Sequence, residues 1–309
     1  MTRPFIGILA LLCTAGALCG GDNKKNDPSE IGNRKVAGGP NFYSIEKELA
    51  LGRQLALEVE RQAKLFDDPI VCEYLNRVVQ NLARHSDVTF PVIIKIIESD
   101  QPNAFTLPGG HMFIDTGLIH LTESEAELAA TLAHELGHVA ARHATRQATQ
   151  STIANIATIP LAVLGGPAGM LARNAATVAM PMSFLKFSRV FETEADDLGL
   201  QYMYEAGYDP SGSVDIFERL ESLEKKKPGT VAQLFNTHPM TSDRIQKAQK
   251  NIQNQLPARD EYVMNTSEYE DMRARMLDIL NSHKITAAAD KKPTLLKAGE
   301  HFTPERPDH

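Results

Sequence analysis

Tryptophan is absent from these 309 residues, and aromatic residues make up only 6% of them. No indole-lined platform for sugars or nucleobases can therefore be built. Cysteine is nearly as scarce. Three occur, and two of them, Cys13 and Cys19, lie in or beside an N-terminal apolar stretch. If that stretch is removed, Cys72 is the only certain cysteine, and one thiol cannot form an internal disulfide. Stability in an oxidising compartment must then rest on packing and metal. Positive charge is also short: 32 Lys and Arg stand against 39 Asp and Glu, a net charge of −7. With no basic stripe to offset it, no nucleic-acid partner is expected. Internal repeats are missing too, which removes the helical arrays that accompany many scaffolding roles.

Two apolar stretches are present, and neither supplies the about 20 unbroken apolar residues that a membrane-spanning helix needs. Residues 5–18 follow Arg3 and include small residues at Ala15-Gly16-Ala17 near their end, the pattern of a secretory leader. We read 1–19 as a signal peptide, with Cys19 as a candidate site for lipidation. The second stretch, 152–182, is punctuated by Pro160, Gly165, Gly166, Pro167, Gly169 and Pro181. It reads as a helical hairpin or flap over a cleft, with shallow membrane contact as the lesser alternative. Residues 20–40 are polar and read as a flexible linker, 41–255 as a catalytic domain, and 256–309 as a last helix followed by a disordered tail.

Between these limits the pattern is mainly helical. Ile45, Leu49, Gly52, Leu55 and Val59 recur at spacings of three and four, as do Val71, Leu75, Val78 and Leu82. The β-branched run within 89–97 predicts a strand buried on both faces. Residues 103–107 and 111–115 predict two more, joined by Pro108-Gly109-Gly110, with an open edge onto which an extended peptide could add. The fold class expected is α+β, mainly α-helical, with a small sheet. Thr122 and Glu125 are spaced as a capping box, predicting a helix from there to about Gln147.

That helix carries His134-Glu135-Leu136-Gly137-His138. Histidines four apart share one helix face and can hold one metal ion, while Glu135 brings a carboxylate to the same region. This is the donor set zinc uses for water activation: neutral nitrogens, an open position and an adjacent base. Two histidines leave the site one ligand short. Downstream, Glu192, Glu194, Asp196 and Asp197 form an acidic cluster in which Glu192 and Asp196 share a face and Glu194 points elsewhere. One carboxylate of that face can complete the metal site, and the other can orient a ligand histidine. His85, His111, His120, His143 and His283 have no paired ligand spacing and read as surface or packing residues.

His134 to His138, followed by Ser188-Arg189 and Glu192-x-x-Ala195-Asp196, resembles the zinc metallopeptidase family of the CAAX prenyl endopeptidase and HtpX. Asn103-Ala104-Phe105 with Pro108-Gly109-Gly110, and Thr237-His238-Pro239 with Arg244, are similar to its soluble exported branch, which includes BepA. The transmembrane helices of the former and the tetratricopeptide repeats of the latter have no counterpart here. The resemblance covers about residues 42–252 and implies a gluzincin-like domain with one Zn²⁺. His134, His138 and Glu192 would be its ligands, Glu135 its general base and Asp196 an outer partner. His238 matches a histidine that either blocks the metal or assists the oxyanion. The activity implied is hydrolysis of peptide bonds in unfolded or misassembled polypeptides, in the periplasm or on a membrane facing it. Membrane contact would come through Cys19 or 152–182. A rival reading is a chaperone or assembly factor whose zinc site is latched by His238.

Overall fold

Helix α1 (Ile45–Gln62) starts where Ser44 accepts a hydrogen bond from the Lys47 amide, and α2 (Pro69–Arg84) where Asp68 does the same for Val71. Pro69 suits that first turn, because its missing N–H would have no helical partner there. On α2 the periodic residues Val71, Leu75, Val79 and Leu82 are fully buried, which makes this face one wall of the main core. The computed structural model describes residues 24–163, 187–239 and 242–290. The expected signal peptide with Cys19, the larger part of the 152–182 segment, and the tail beyond 290 lie outside the described residues.

Four strands form one mixed sheet in the order β1-β2-β4-β3: β1 (Leu65–Phe66), β2 (Ile93–Ile97), β3 (Ala104–Leu107) and β4 (His111–Asp115). The β3–β4 pair is the expected hairpin, with Gly109 and Gly110 at φ of 73° and 80°, where a side chain would be strained. One expectation fails here. Strand β2 pairs in parallel with β4, but it is not buried on both faces, since Ile93 is 46% exposed and only Ile96 is buried. Strand β3 ends the pairing order with β4 as its one sheet neighbour among the described residues, and its four residues are buried. Phe105 and Leu107 pack with Phe113 and with Ala56 of α1.

The short α3 (Thr116–Leu121) leads to α4 (Glu125–Ala140), which carries the histidine pair. The capping residue is Ser124, which accepts from the Glu127 amide, and not Thr122. Thr122 closes α3 instead, its hydroxyl donating to the Ile119 carbonyl and meeting the Tyr269 hydroxyl at 2.9 Å. Nor does α4 reach Gln147. Arg142 adopts φ of 55°, and a separate helix α5 (His143–Val163) leaves in a new direction. Four more helices follow: α6 (Arg189–Glu205), α7 (Gly212–Lys226), α8 (Ala232–Thr237) and α9 (Ser242–Gln255). The last, α10 (Ser267–Asp290), lays Tyr269, Met272 and Met276 into the core. No described helix is long and apolar enough to cross a membrane.

The stretch expected as a flexible linker is fastened from Lys24 onward. Two short 3-10 turns hold it, and Arg34 forms a buried ion pair with Asp87 at 2.9 Å.

Candidate metal centre

Helices α4 and α6 cross in close contact, and two glycines allow it. A Cβ on Gly199 would lie 2.8 Å from the His134 amide nitrogen, and one on Gly137 2.6 Å from the Ala195 carbonyl. The crossing sets the start of α6 against the middle of α4. Ser188 caps α6 by accepting from the Phe191 amide, which fixes the turn that presents Glu192.

Four side chains converge there: His134, His138, Glu192 and His238, their donor atoms all within 4.8 Å of one another. His134 Nε2 lies 3.1 Å from His138 Nε2 and 3.3 Å from His238 Nδ1. Glu192 is 3.5 Å from each of the first two histidines and 3.1 Å from His238 Nδ1. Ligands ~2.0–2.1 Å from a tetrahedral zinc stand about 3.3–3.4 Å apart. The printed separations, with Glu192 offering Oε2 to His134 and Oε1 to His138 and His238, are close to that spacing, and the two-nitrogen, one-carboxylate set suits zinc. Buried close beside it, Glu135 has Oε1 3.4 Å from His238 Nε2, and its Oε2 has no hydrogen-bond partner among the described residues. A buried carboxylate oxygen without a partner implies a missing one.

The charges follow the same logic. Burial holds the His138 imidazole well below its ordinary pKa, so the ring is neutral and offers a lone pair. Burial pushes Glu192 upward, but His238 and His134 beside it outweigh this and keep the carboxylate charged. For His134 burial acts downward, and Asp196 and Glu192 together reverse it.

Each of the two α4 histidines is backed by a carboxylate system. His134 Nδ1 sits 2.9 Å from Asp196 Oδ1. Asp196 is gripped at 2.7 Å on both oxygens by the Arg244 guanidinium, which holds the carboxylate below its ordinary range against burial. Arg244 also reaches Glu192 at 3.3 Å and lies over the Phe217 ring. His138 Nδ1 meets His143 Nδ1 at 2.9 Å, and His143 Nε2 meets Glu194 Oε2 at 3.0 Å. Burial pushes Glu194 upward, but His143 and Arg146 bring it down to about 2.

All six residues singled out in the sequence, His134, Glu135, His138, Glu192, Asp196 and His238, therefore meet in one place. His143, expected as a surface or packing residue, is fully buried and packs on Phe191, and it also contacts His138, which its spacing did not indicate. Glu194 does point away from Glu192, and its target is His143. The five-residue offset from His138 to His143 is not a helical same-face spacing, and the turn at Arg142 lies between the two.

A largely apolar cavity of ≈ 60 Å³ adjoins the group, lined among others by Thr131, Glu135, His238, Leu118, Met203 and Ile216. His138 does not line it.

The family model described as Peptidase family M48 matches residues 69–252. The chain is 27% identical over 257 residues to a beta-barrel assembly-enhancing protease of Escherichia coli (strain K12), covering 80% of this chain and 52% of that protein. It is 30% identical over 277 residues to a putative beta-barrel assembly-enhancing protease of Vibrio cholerae, with coverage of 87% and 56%. It is also 31% identical over 178 residues to the mitochondrial metalloendopeptidase OMA1 of Schizosaccharomyces pombe, with coverage of 57% and 52%. The chain thus spans about half the length of these curated relatives.

Proposed function

The chain belongs to peptidase family M48, whose model covers more than half of it, and from that premise we propose that it is a zinc-dependent endopeptidase. In this reading His134, His138 and Glu192 hold one Zn²⁺ and Glu135 is the general base. The observation that carries it is the set of nitrogen and oxygen separations of 3.1–3.5 Å beside the unpartnered Glu135 oxygen.

Zinc, when bound, supplies Lewis acidity that acidifies water and polarises a peptide carbonyl. Glu135 takes the proton of the attacking water and returns it to the leaving amine. Asp196, clamped by Arg244, keeps the His134 ring turned toward the metal. The ligand group is buried, His134 being its most exposed side chain at 12%, so a folded loop cannot reach it. An extended, unfolded polypeptide can be threaded in, and this favours misassembled proteins as substrates. The leader-like N-terminus and the name beta-barrel assembly-enhancing protease, borne by the relatives, support an exported protein of the cell envelope. A lipid anchor at Cys19 or the 152–182 segment would then set its place at the membrane.

His238 supports a second reading. Its Nδ1, 3.3 Å from His134 Nε2 and 3.1 Å from Glu192 Oε1, is close enough to take the position a catalytic zinc keeps for water. The resting protein would then be a latched form, and the whole chain a chaperone or assembly factor if the latch never opens.

Metal analysis with cleavage of unfolded casein tests both. We expect one zinc per chain, cleavage by the wild type, and retained zinc without cleavage in Glu135→Gln. Cleavage retained by Glu135→Gln removes that residue's role, and zinc without cleavage in the wild type favours the latched binding protein. His238→Ala should raise basal cleavage if the side chain blocks the metal and lower it if it assists; unchanged cleavage removes both roles.

A further inference from the structure

The two ligand histidines are supported differently. His134 leans on the carboxylate of Asp196, whereas the neighbour of His138 is another histidine. His143 is completely buried, with its ring stacked on Phe191 at 4.4 Å between centroids. Its two nitrogens have one contact each: Nδ1 with His138 Nδ1 at 2.9 Å, and Nε2 with Glu194 Oε2 at 3.0 Å. Glu194 also receives Arg146 at 2.9 Å and Lys25 at 3.4 Å.

These contacts determine the protons. A carboxylate held by two cations is an acceptor only, so His143 must donate through Nε2. A neutral imidazole that donates through Nε2 accepts through Nδ1. His138 must therefore donate through its own Nδ1, which leaves its Nε2 lone pair facing the centre. With His143 neutral each link has one direction, and the chain ends on the His138 tautomer whose Nε2 can ligate a metal at this centre.

We propose that His143 and Glu194 are positioning residues that fix the tautomer and orientation of His138 for metal binding through a His138–His143–Glu194 hydrogen-bond chain. The proposal rests on His138 being a zinc ligand, as inferred above. It also gives the N-terminal segment a part in the metal site, since Lys25 contacts the last carboxylate of the chain from outside the matched 69–252 region. Removal of partners of this kind weakens metal affinity by about 10–100-fold.

The test is zinc affinity of the purified full-length protein, measured by competition with a chromophoric chelator, with no substrate involved. His143→Phe keeps an aromatic ring against Phe191 and cannot hydrogen-bond. His143→Gln loses the ring but can accept from His138 and donate to Glu194. The hydrogen-bond chain predicts affinity in the order wild type, Gln, Phe, with Phe weakened about 10–100-fold. A role in packing alone predicts the reverse order of the variants, with Phe close to wild type, and that result overturns the proposal. Should His143→Phe fail to fold, Glu194→Gln decides: several-fold weaker zinc binding is expected, and unchanged binding overturns the proposal. His138→Ala separates the two inferences. If it binds zinc as the wild type does, the metal-site reading itself falls. If it loses zinc while His143→Phe does not, the positioning role alone falls.

Discussion

A Cβ on Gly137 would lie 2.6 Å from the carbonyl oxygen and 2.9 Å from the Cα of Ala195, so helices α4 and α6 meet backbone to backbone at the centre of the site. The two effects of Gly137→Ala have opposite sign. Alanine gains about 1 kcal/mol in helix propensity, whereas overpacking costs about 1–3 kcal/mol and more where the obstacle is backbone that cannot rotate aside. The clash should win, because relief requires the two helices to separate. Since α4 carries both histidines and α6 carries Glu192, the separation should also widen the ligand group. We expect lower stability in urea and weaker zinc binding together. A variant as stable as the wild type, with unchanged zinc affinity, would contradict this contact.

Arg34 and Asp87 form an equally specific pair. Their side chains are 1% and 3% exposed, and Asp87 also accepts from Tyr202 at 2.8 Å and from the Gly32 amide at 2.8 Å. Removing one partner of a buried pair leaves an uncompensated charge, at a cost of about 3–5 kcal/mol. Arg34→Met should therefore destabilise the protein by an amount of that order in denaturant unfolding. A loss below about 0.5 kcal/mol, usual for a surface substitution, would mean that residues 25–36 are a loose tether after all.

These particular residues show what a sequence can reveal. His134, His138, Glu192 and Asp196 were legible because each pair lies four apart on a continuous helix, where spacing alone fixes the face. His143 was hidden by a break in that rule. On an uninterrupted helix it would sit about 140° around from His138, but Arg142 in the left-handed region turns the chain and brings it back. Arg34 was hidden for a different reason: its partner is 53 residues away, and no local pattern reports a long-range ion pair. Thr122 and Ser124 compete as caps two residues apart, and the choice depends on Tyr269, which claims the threonine from the far end of the chain.

Asp115 ends β4 with its side chain buried and no ion pair to a cation among the described residues, and burial pushes its pKa from an ordinary 3.8 up to about 7, against a lowering hydrogen bond from Ser99. A carboxyl raised in the folded state holds its proton longer there than in the unfolded chain. Stability is then complete below about pH 4 and declines as pH rises toward 7. Asp115→Asn keeps the shape and removes the charge. We expect the variant to match the wild type near pH 4 and to exceed it by about 1–3 kcal/mol at pH 8. Equal stability at both pH values would show that the carboxyl is ionised without penalty.

The cavity beside Glu135 makes a prediction about which peptide bonds are cut. Under the proposed mechanism Glu135 delivers a proton to the leaving nitrogen, so the side chain nearest to it belongs to the residue that supplies that nitrogen. The cavity is lined by Glu135 and His238 and not by His138, so we expect it to receive the side chain on that side of the scissile bond. Leu118, Met203 and Ile216 also line it, so an apolar side chain is favoured. At ≈ 60 Å³ it admits about four to six water-sized groups, enough for leucine or methionine and too few for the ring of phenylalanine or tyrosine. Cleavage of a random peptide mixture, read by mass spectrometry, should therefore show leucine, isoleucine or methionine after the cut. Thr131 is a half-buried lining residue, three and four residues before His134 and Glu135 on the same face of α4. Thr131→Leu should fill part of the cavity and shift the preference toward alanine and glycine, with zinc content unchanged. If the variant cuts the same bonds as the wild type, the cavity does not select the substrate.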